Sequence, residues 1–167
     1  TTSLSRRLEV VEKFDMKSFE ELKGNFLQIF PFIQNLVVRK NKATGFPQVW
    51  IEERDVGMIP LEQLSSGMVK VLLILSDLSC LPNGSTYLLD EYENSLGANA
   101  INFLPDLLYA NPGDTQFILT THHPLLINSI AIDDWHLFRA PDQVRSGDYR
   151  GPFDHCRLFA ERYGGGL

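Results

Sequence analysis

Leu64-Ser65-Ser66-Gly67-Met68 and Thr86-Tyr87-Leu88-Leu89-Asp90-Glu91 flank a long apolar run, and these two stretches decide the fold. A serine before apolar residues at three- and four-residue spacing is typical of a helix start, so the first stretch predicts a helix over 67–78 that is buried on most sides. The second predicts a short, wholly apolar strand over 86–90 that ends in acid, as central parallel strands do. This alternation predicts an α/β domain with a mainly parallel sheet flanked by helices.

The segments on either side continue the alternation. Apolar residues from Leu8 to Ile29 recur at helical spacing and predict one helix or two short ones that end before Pro31. Two strand-like segments around a turn with Gly45 predict a β-hairpin formed by 36–39 and 48–52. Further along we predict a helix at 97–109 that Pro105 kinks or divides, a turn at 111–114, a buried strand at 116–120, a helix at 124–130 and a strand at 135–139.

Length and composition fit one globular domain, with 167 residues, a formal net charge of −6 and 44% hydrophobic residues. No apolar run reaches the roughly 18–20 residues that cross a bilayer, and no secretory signal is visible, so we expect no membrane contact and a cytoplasmic setting. We expect a single domain over 1–167, with a helix and hairpin lead-in at 1–60, a core at 61–140 and a C-terminal tail at 141–167. The start without methionine indicates a piece of a longer polypeptide or a processed chain.

An acid pair, Asp90 and Glu91, follows the predicted strand at 86–90. Adjacent carboxylates at the end of a buried strand repel each other, and a divalent cation with a polarised water offsets that cost. Ligands of open α/β sheets bind beyond the carboxyl ends of strands. Asp90 is therefore placed to hold Mg²⁺ and Glu91 to orient or deprotonate a water, whereas the alternative is a solvated acidic loop.

The Ser-Ser-Gly turn at 65–67 precedes the long helix, so free backbone N–H groups and the helix dipole offer a site for an anion. Gly67 lets a phosphate approach the backbone closely, and Lys70 lies on a similar face to Ser66 and adds positive charge. The alternative is a plain serine cap. The position of the turn, about two dozen residues before the acid pair, favours the anion site.

A histidine turn, Thr-Thr-His-His-Pro at 120–124, follows the predicted strand at 116–120. If that strand lies beside the strand at 86–90, His122 lies near the acid pair and is able to donate a hydrogen bond to a γ-phosphate. The alternative is a histidine that caps the helix beginning at Pro124, which is the role we expect for His123.

Four motifs in this order resemble the second half of an ABC-type ATPase head. Residues 64–68 resemble the signature, in the Ser-Ser-Gly form of the overcoming-lysogenization-defect and RecF-like ATPases. Residues 86–91 resemble the Walker B strand, 93–97 the D-loop and 120–124 the switch-histidine loop. The similarity covers roughly residues 26–130. The chain is thus identified as the C-terminal lobe of a P-loop NTPase, of the non-transporter AAA/ABC group that includes SMC-like ATPases.

This resemblance implies an ATPase that uses ATP and Mg²⁺ and works as a head-to-tail homodimer. It assigns Asp90 to Mg²⁺, Glu91 to the catalytic base and His122 to the γ-phosphate. It assigns Ser65, Ser66 and Gly67 to the ATP that the partner head holds. It assigns Asn94, Ser95 and Leu96 to the D-loop.

The phosphate-binding half of such a site is missing from these residues, because no Gly-x-x-x-x-Gly-Lys-Ser/Thr occurs. We therefore expect a lobe with the Walker A loop as a partner, and an isolated chain that is inactive. Tyr92 replaces the usual proline after the acid pair, and Gly97 stands where aspartate is frequent in the D-loop.

The sequence does not show which process ATP hydrolysis drives. Arg39, Lys40 and Lys42 cluster and leave room for a nucleic-acid patch, so DNA and a partner nuclease are candidate partners in nucleic-acid-related or defence functions. The alternative function is a nucleotide-responsive dimerisation module with little or no hydrolysis. A metal nuclease built on the acid pair and His122 is disfavoured, because further acids at suitable positions are missing.

Overall fold

A computed structural model describes residues 2–110 and 115–134 of the chain. The predicted turn at 111–114, the predicted strand at 135–139 and the predicted tail at 141–167 lie outside these residues. The chain divides into two compact units, Thr1–Ile127 and Asn128–Leu167. The first unit contains all the candidate site residues, and the prediction of a single domain over 1–167 stays a prediction.

Helices and strands alternate along the described residues, so the predicted α/β class is confirmed. The helices are α1 (Thr2–Phe14), α2 (Met16–Ile29), α3 (Ser66–Leu78), α4 (Ala98–Ala110) and α5 (Pro124–Ser129). The strands are β1 (Ile33–Lys40), β2 (Pro47–Glu53), β3 (Gly57–Pro60), β4 (Thr86–Leu89) and β5 (Gln116–Leu119), and single 3-10 turns lie at Leu61–Gln63 and Ile132–Asp134.

Helices α1 and α2 meet at Asp15, whose side chain caps the second helix. The Asp15 carboxylate accepts hydrogen bonds from the Ser18 hydroxyl at 2.7 Å and the Ser18 N–H at 3.1 Å, and these bonds lower the pKa of Asp15. The prediction of two short helices that end before Pro31 is confirmed. The buried side of α2 consists of Phe19, Leu22, Phe26 and Ile29.

The first unit also holds a three-stranded antiparallel sheet of order β1-β2-β3. Its first pair is the predicted hairpin, with Val37 opposite Trp50. The hairpin turn is closed by the Asn41 carboxamide, which accepts from the Ala43 N–H at 2.9 Å. Strand β3 is absent from the prediction, although an apolar pair after the turn at Gly57 indicates it. Strand β3 is followed by the 3-10 turn at Leu61–Gln63 and then by the start of α3.

The hydrophobic core lies between α1, α2, α3 and one face of the antiparallel sheet. Burying a large apolar side chain contributes about 1.5–3 kcal/mol, so this cluster fixes α3 firmly. Helix α3 begins at Ser66, one residue before the predicted start. It is buried on most sides, as expected, while Leu73 is 36% exposed. Members of the core that are 0% exposed include Leu8, Phe26, Val49, Ile51 and Leu72.

Strands β4 and β5 form a separate parallel pair with Tyr87 opposite Phe117. The strands predicted at 86–90 and 116–120 are thus neighbours, which is the condition under which we expected His122 to lie near the acid pair. On one face the Tyr87 hydroxyl donates to the Asp77 carboxylate of α3 at 2.6 Å. Arg7 of α1 forms an ion pair with the same carboxylate. This polar cluster fixes β4 relative to α3, and with it the acid pair relative to the signature turn.

The expectation that these two strands are buried is wrong on one face. Leu88 is 68% exposed and Ile118 is 44% exposed, and both lie opposite the face that carries Tyr87. Side chains of a strand alternate between two faces, and among the described residues no element covers the second face of this pair. The parallel sheet therefore has an open apolar surface in this chain.

Helix α4 continues through Pro105 without a break, so the predicted division at this proline is not observed. Helix α5 begins at Pro124, where proline is tolerated because the first N–H groups of a helix have no intrahelical partner. Across 2–110 and 115–134, no helix has the length and apolar character needed to cross a membrane.

Candidate functional site

The parallel pairing of β4 and β5 brings the acid pair beside the histidine loop. The Thr120 N–H donates to the Leu89 carbonyl at 2.9 Å and so extends the ladder by one step. The Thr120 hydroxyl donates to the Asp90 carboxylate and accepts from the Glu91 N–H at 2.8 Å. The two loops are therefore joined through Thr120, at the carboxyl ends of both strands.

Glu91 has a left-handed backbone with φ +44°, which is uncommon for a residue with a side chain. Its backbone is held at both ends. The N–H donates to the Thr120 hydroxyl, and the carbonyl accepts from the Asn94 N–H at 2.9 Å and from the Lys70 ammonium at 3.1 Å. Such conformations cost about 1–3 kcal/mol and persist where the surroundings fix them.

Lys70 contacts the acid-pair loop of its own chain. Its ammonium donates to the Glu91 carbonyl at 3.1 Å and to the Asn94 carbonyl at 2.9 Å. The sequence predicts that this charge faces an anion at the start of α3, and the structure instead gives it two carbonyl partners. Lys70 thus links the signature helix to the turn that carries Glu91.

The signature turn begins α3 with a serine cap. Ser65 is the N-cap, and its hydroxyl accepts from the Met68 N–H at 3.3 Å. Ser66 is the first helical residue, and its side chain is exposed. The cap predicted as the alternative to an anion site is therefore present at Ser65. It uses the Met68 N–H of the first turn and leaves the Ser66 side chain exposed.

Gly67 lies against the candidate D-loop. A Cβ atom added at Gly67 would lie far inside contact distance of the Ser95 carbonyl oxygen. Ser95 itself has a left-handed backbone with φ +67°. A side chain at Gly67 therefore requires a backbone shift, because the obstructing atom is not a flexible side chain. The sequence predicts that Gly67 lets a phosphate approach the backbone, and the close contact with Ser95 is a second reason for a glycine at this position.

We expect Gly67→Ala to lower the free energy of unfolding by about 1–3 kcal/mol, because the added methyl group overpacks the contact with Ser95. Gly24→Ala is the matched control. Gly24 is inside α2 with nothing within 4 Å of an added Cβ, so alanine there should stabilise the chain by about 0.5–1 kcal/mol. Urea unfolding followed by circular dichroism measures both. Equal changes in the two variants would contradict the close contact at Gly67.

The candidate D-loop folds back onto Glu91. The Asn94 side-chain amide donates to Glu91 Oε2 at 3.3 Å, and the Leu96 N–H donates to the Glu93 carbonyl at 3.0 Å. Tyr92, which stands where proline is usual, is 0% exposed. Burial raises the pKa of Tyr92 far above its ordinary value, so the phenol stays neutral. Its hydroxyl finds no hydrogen-bond partner among the described residues.

Glu93 was not singled out from the sequence, and it is the most connected side chain of the loop. The side chain is only 9% exposed. One carboxylate oxygen accepts from the His122 N–H at 2.9 Å and lies 3.0 Å from His122 Nδ1, and the other accepts from the Thr121 hydroxyl at 2.7 Å. Burial acts to raise the pKa of Glu93, but these hydrogen bonds outweigh it and hold the pKa below the ordinary value. A third acid two residues after Glu91 is the feature of the sequence that could have indicated it.

The two histidines have different surroundings. The His122 side chain is 86% exposed, and its described polar partner is Glu93. The His123 carbonyl accepts from the Leu126 and Ile127 N–H groups, both at 3.1 Å, so His123 directly precedes α5 at the capping position, as expected. His123 Nδ1 is buried without a hydrogen-bond partner among the described residues. His122 is therefore the histidine that faces solvent at the strand ends.

Asp90 fits a site for Mg²⁺ of the kind found with nucleotides. Across 2–110 and 115–134, no group of three or more His, Cys, Asp or Glu side chains is arranged to hold a metal ion. Mg²⁺ usually keeps several waters and takes one or two carboxylates together with substrate phosphates. One exposed carboxylate at a strand end meets that requirement. Asp90 therefore fits the ion only in combination with a phosphate ligand.

Solved SMC ATPase heads share this fold. An SMC ATPase solved in work on ATP-driven dimerization and DNA-stimulated activation has a TM-score of 0.55 at 15% identity, over 74% of this chain and 78% of that one. A Pyrococcus furiosus Smc head with an extended coiled coil, bound to the C-terminal domain of ScpA, has a TM-score of 0.50 at 16% identity. A Pyrococcus yayanosii Smc head with a coiled coil and joint has a TM-score of 0.50 at 16% identity.

The two Pyrococcus matches cover 68% and 65% of this chain but only 31% and 22% of the longer proteins. A comparison with curated proteins gave no match. The family model described as "AAA domain, putative AbiEii toxin, Type IV TA system" matches residues 3–128, which is most of the chain. The chain belongs to this AAA domain family and has the fold of an SMC-like, ABC-type ATPase head, as the four motifs predicted.

Proposed function

We propose that this chain is the C-terminal lobe of an ATPase head that binds and hydrolyses ATP at a site shared by two heads. The observation that carries the proposal is the turn at 90–96. In this turn the acid pair and the candidate D-loop meet Lys70 of the signature helix and Thr120 of the histidine loop through hydrogen bonds. Phosphoryl transfer depends mostly on positioning and charge stabilisation, and a turn fixed from two sides suits it. Family membership supports an ATPase domain.

In this proposal Glu91 is the general base that takes a proton from the attacking water. His122 donates a hydrogen bond to the γ-phosphate. Asp90 holds Mg²⁺, which when bound neutralises charge on the phosphates. The signature turn at 65–67 faces the nucleotide of the partner head through the N-terminal end of α3.

The proposed partners are a second head and a lobe with a Walker A loop, because these residues contain none. The open apolar face of β4 and β5, with Leu88 and Ile118, is a suitable contact for such a lobe. ATP-driven dimerization and DNA-stimulated activation are described for one SMC relative. By that likeness we propose a homodimer, and we propose DNA as the partner to test at the hairpin cluster around Lys40. We also propose a cytoplasmic setting.

The second candidate function is a nucleotide-responsive dimerisation module with little or no hydrolysis. The absence of a phosphate loop from these residues favours it, because a chain of this kind supplies only the closing surface. ATP turnover by the assembled protein, meaning this chain together with the lobe that carries the Walker A loop, separates the two functions. Turnover that depends on Glu91 supports the ATPase, and ATP-dependent dimerisation without turnover supports the module.

The isolated chain should not bind ATP tightly, because backbone N–H groups of a phosphate loop normally hold the phosphates. Titration calorimetry with ATP and Mg²⁺ measures this directly. We expect a dissociation constant no tighter than about 1 mM, whereas the assembled protein should bind in the micromolar range. Binding of ATP to the isolated monomer at or below about 1 µM would contradict the division of the site between two lobes.

A further inference from the structure

Beyond the contacts made by Thr120, the histidine loop is attached to the acid-pair loop by the side chain of Glu93. Both carboxylate oxygens are used: one by the backbone and ring of His122, the other by the Thr121 hydroxyl. Glu93 is nearly buried, whereas the His122 side chain is 86% exposed. A nearly buried, ionised carboxylate that accepts two hydrogen bonds and lies 3.0 Å from a ring nitrogen is a rigid support, because charge-assisted hydrogen bonds are roughly twice as strong as neutral ones.

The contact determines which nitrogen of His122 carries a proton. A carboxylate is only an acceptor, so the ring nitrogen that contacts it, Nδ1, must be the donor. The hydrogen bond made by one ring nitrogen sets the state of the other, so Nε2 is left as the outward nitrogen. Nε2 is able to donate to a phosphate oxygen only when it also carries a proton.

We propose that Glu93 is the positioning residue of the histidine loop, holding His122 by Nδ1 so that Nε2 faces the γ-phosphate. This inference rests on the proposed function, because it takes His122 as the phosphate ligand. It assigns Glu93 no contact with the nucleotide. Glu93 acts through the orientation and protonation of its neighbour, as the partner of a metal-bound histidine does.

The test uses Glu93→Gln, which keeps the shape but removes the charge and leaves only one oxygen to accept hydrogen bonds. We expect ATP turnover by the assembled protein to fall about 10–100-fold, the usual effect of removing the partner of a functional histidine. Glu62→Gln is the matched control, since Glu62 is an exposed glutamate just before the signature turn. It should leave turnover unchanged. Thermal unfolding of each variant checks that the chain still folds.

A second measurement reports which ring nitrogen of His122 carries the proton, and it requires neither nucleotide nor ATPase activity. Nitrogen-15 NMR of the ring, assigned with His122→Asn, shows which nitrogen of neutral His122 is protonated. We expect protonated Nδ1 in the wild-type chain and a shift toward protonated Nε2 in Glu93→Gln. A purely structural glutamate would not move this equilibrium. Thr121→Val, which removes only the donor on the other oxygen, should leave protonated Nδ1 predominant.

The outcomes separate this inference from the proposed function. If the wild-type assembly does not hydrolyse ATP, the proposed function fails, while the NMR measurement still decides the role of Glu93 in holding the ring. Protonated Nε2 in the wild-type chain overturns the inference even if Glu93→Gln does not fold. Wild-type turnover in a folded Glu93→Gln variant overturns it as well.

Discussion

Ser66→Arg should abolish ATP turnover by the assembled protein, with a loss of at least about 100-fold, because it prevents the closing of the two halves of the site. Ser66 is the first residue of α3, and its side chain is exposed at the end that offers free N–H groups. Arginine fills that space. The cap is made by Ser65, so the helix itself should persist.

ATP binding by the phosphate loop of the same subunit should stay largely intact in Ser66→Arg, because a signature residue serves the nucleotide held by the other subunit. Ser66→Ala is the matched control: it removes the hydroxyl without adding bulk, and we expect a much smaller loss. Steady-state turnover and equilibrium binding of a fluorescent ATP analogue measure the two effects separately. Normal hydrolysis in Ser66→Arg would show that the signature assignment is wrong.

Mixing experiments determine whether Ser66 acts in trans. Subunits with Ser66→Arg are combined with subunits mutated in the phosphate loop, so a mixed dimer has one doubly altered site and one intact site. Recovered turnover supports action across the dimer. If verified mixed dimers recover nothing, either Ser66 acts within its own subunit or both sites must fire together.

Glu91→Gln should reduce ATP hydrolysis by about 10²–10⁴-fold, the usual effect of losing a general base. The local fold should be retained, because the Glu91 backbone is held by Thr120 and Lys70 and not by its own carboxylate. Glutamine also keeps an oxygen to accept from the Asn94 amide. The loss should therefore reflect chemistry and not folding.

A variant that binds but does not hydrolyse ATP should accumulate as a closed dimer. Size-exclusion chromatography with ATP should show more dimer for Glu91→Gln than for wild type, while Glu62→Gln should match wild type in turnover and in dimer content. Unchanged turnover in Glu91→Gln would remove the general base from the proposal and favour the dimerisation module.

The sequence by itself determined most elements of this fold and the order of its motifs. Caps, turns and apolar spacing are local properties, so the helix at 67–78, the hairpin and the strands β4 and β5 could be read directly from the residues, whereas β3 was not predicted. The sequence left open whether these two strands are neighbours. Their parallel pairing in the structure brings the two strand ends together, because the carboxyl ends of parallel strands meet at one edge of a sheet.

Only the tertiary structure decided which side chains connect these motifs. Gly67 meets Ser95, Lys70 meets the carbonyls of Glu91 and Asn94, and Glu93 binds a loop 28–29 residues further on. Local sequence patterns indicate which secondary structure a segment prefers and which face of that helix or strand is buried. They do not report how α3 packs against a loop more than 20 residues away in sequence, since that depends on the whole core.

The open face of β4 and β5 illustrates the same limit. The apolar residues of 86–89 predict a strand that is buried on two sides. Hydrophobic side chains indicate that a face should be buried, but they do not indicate which element buries it. The structure shows that within the described residues Tyr87 is covered by the helices and Leu88 is not. The sequence determined that both faces of the strand pair are apolar. The packing of this chain decided which of the two faces its own helices bury.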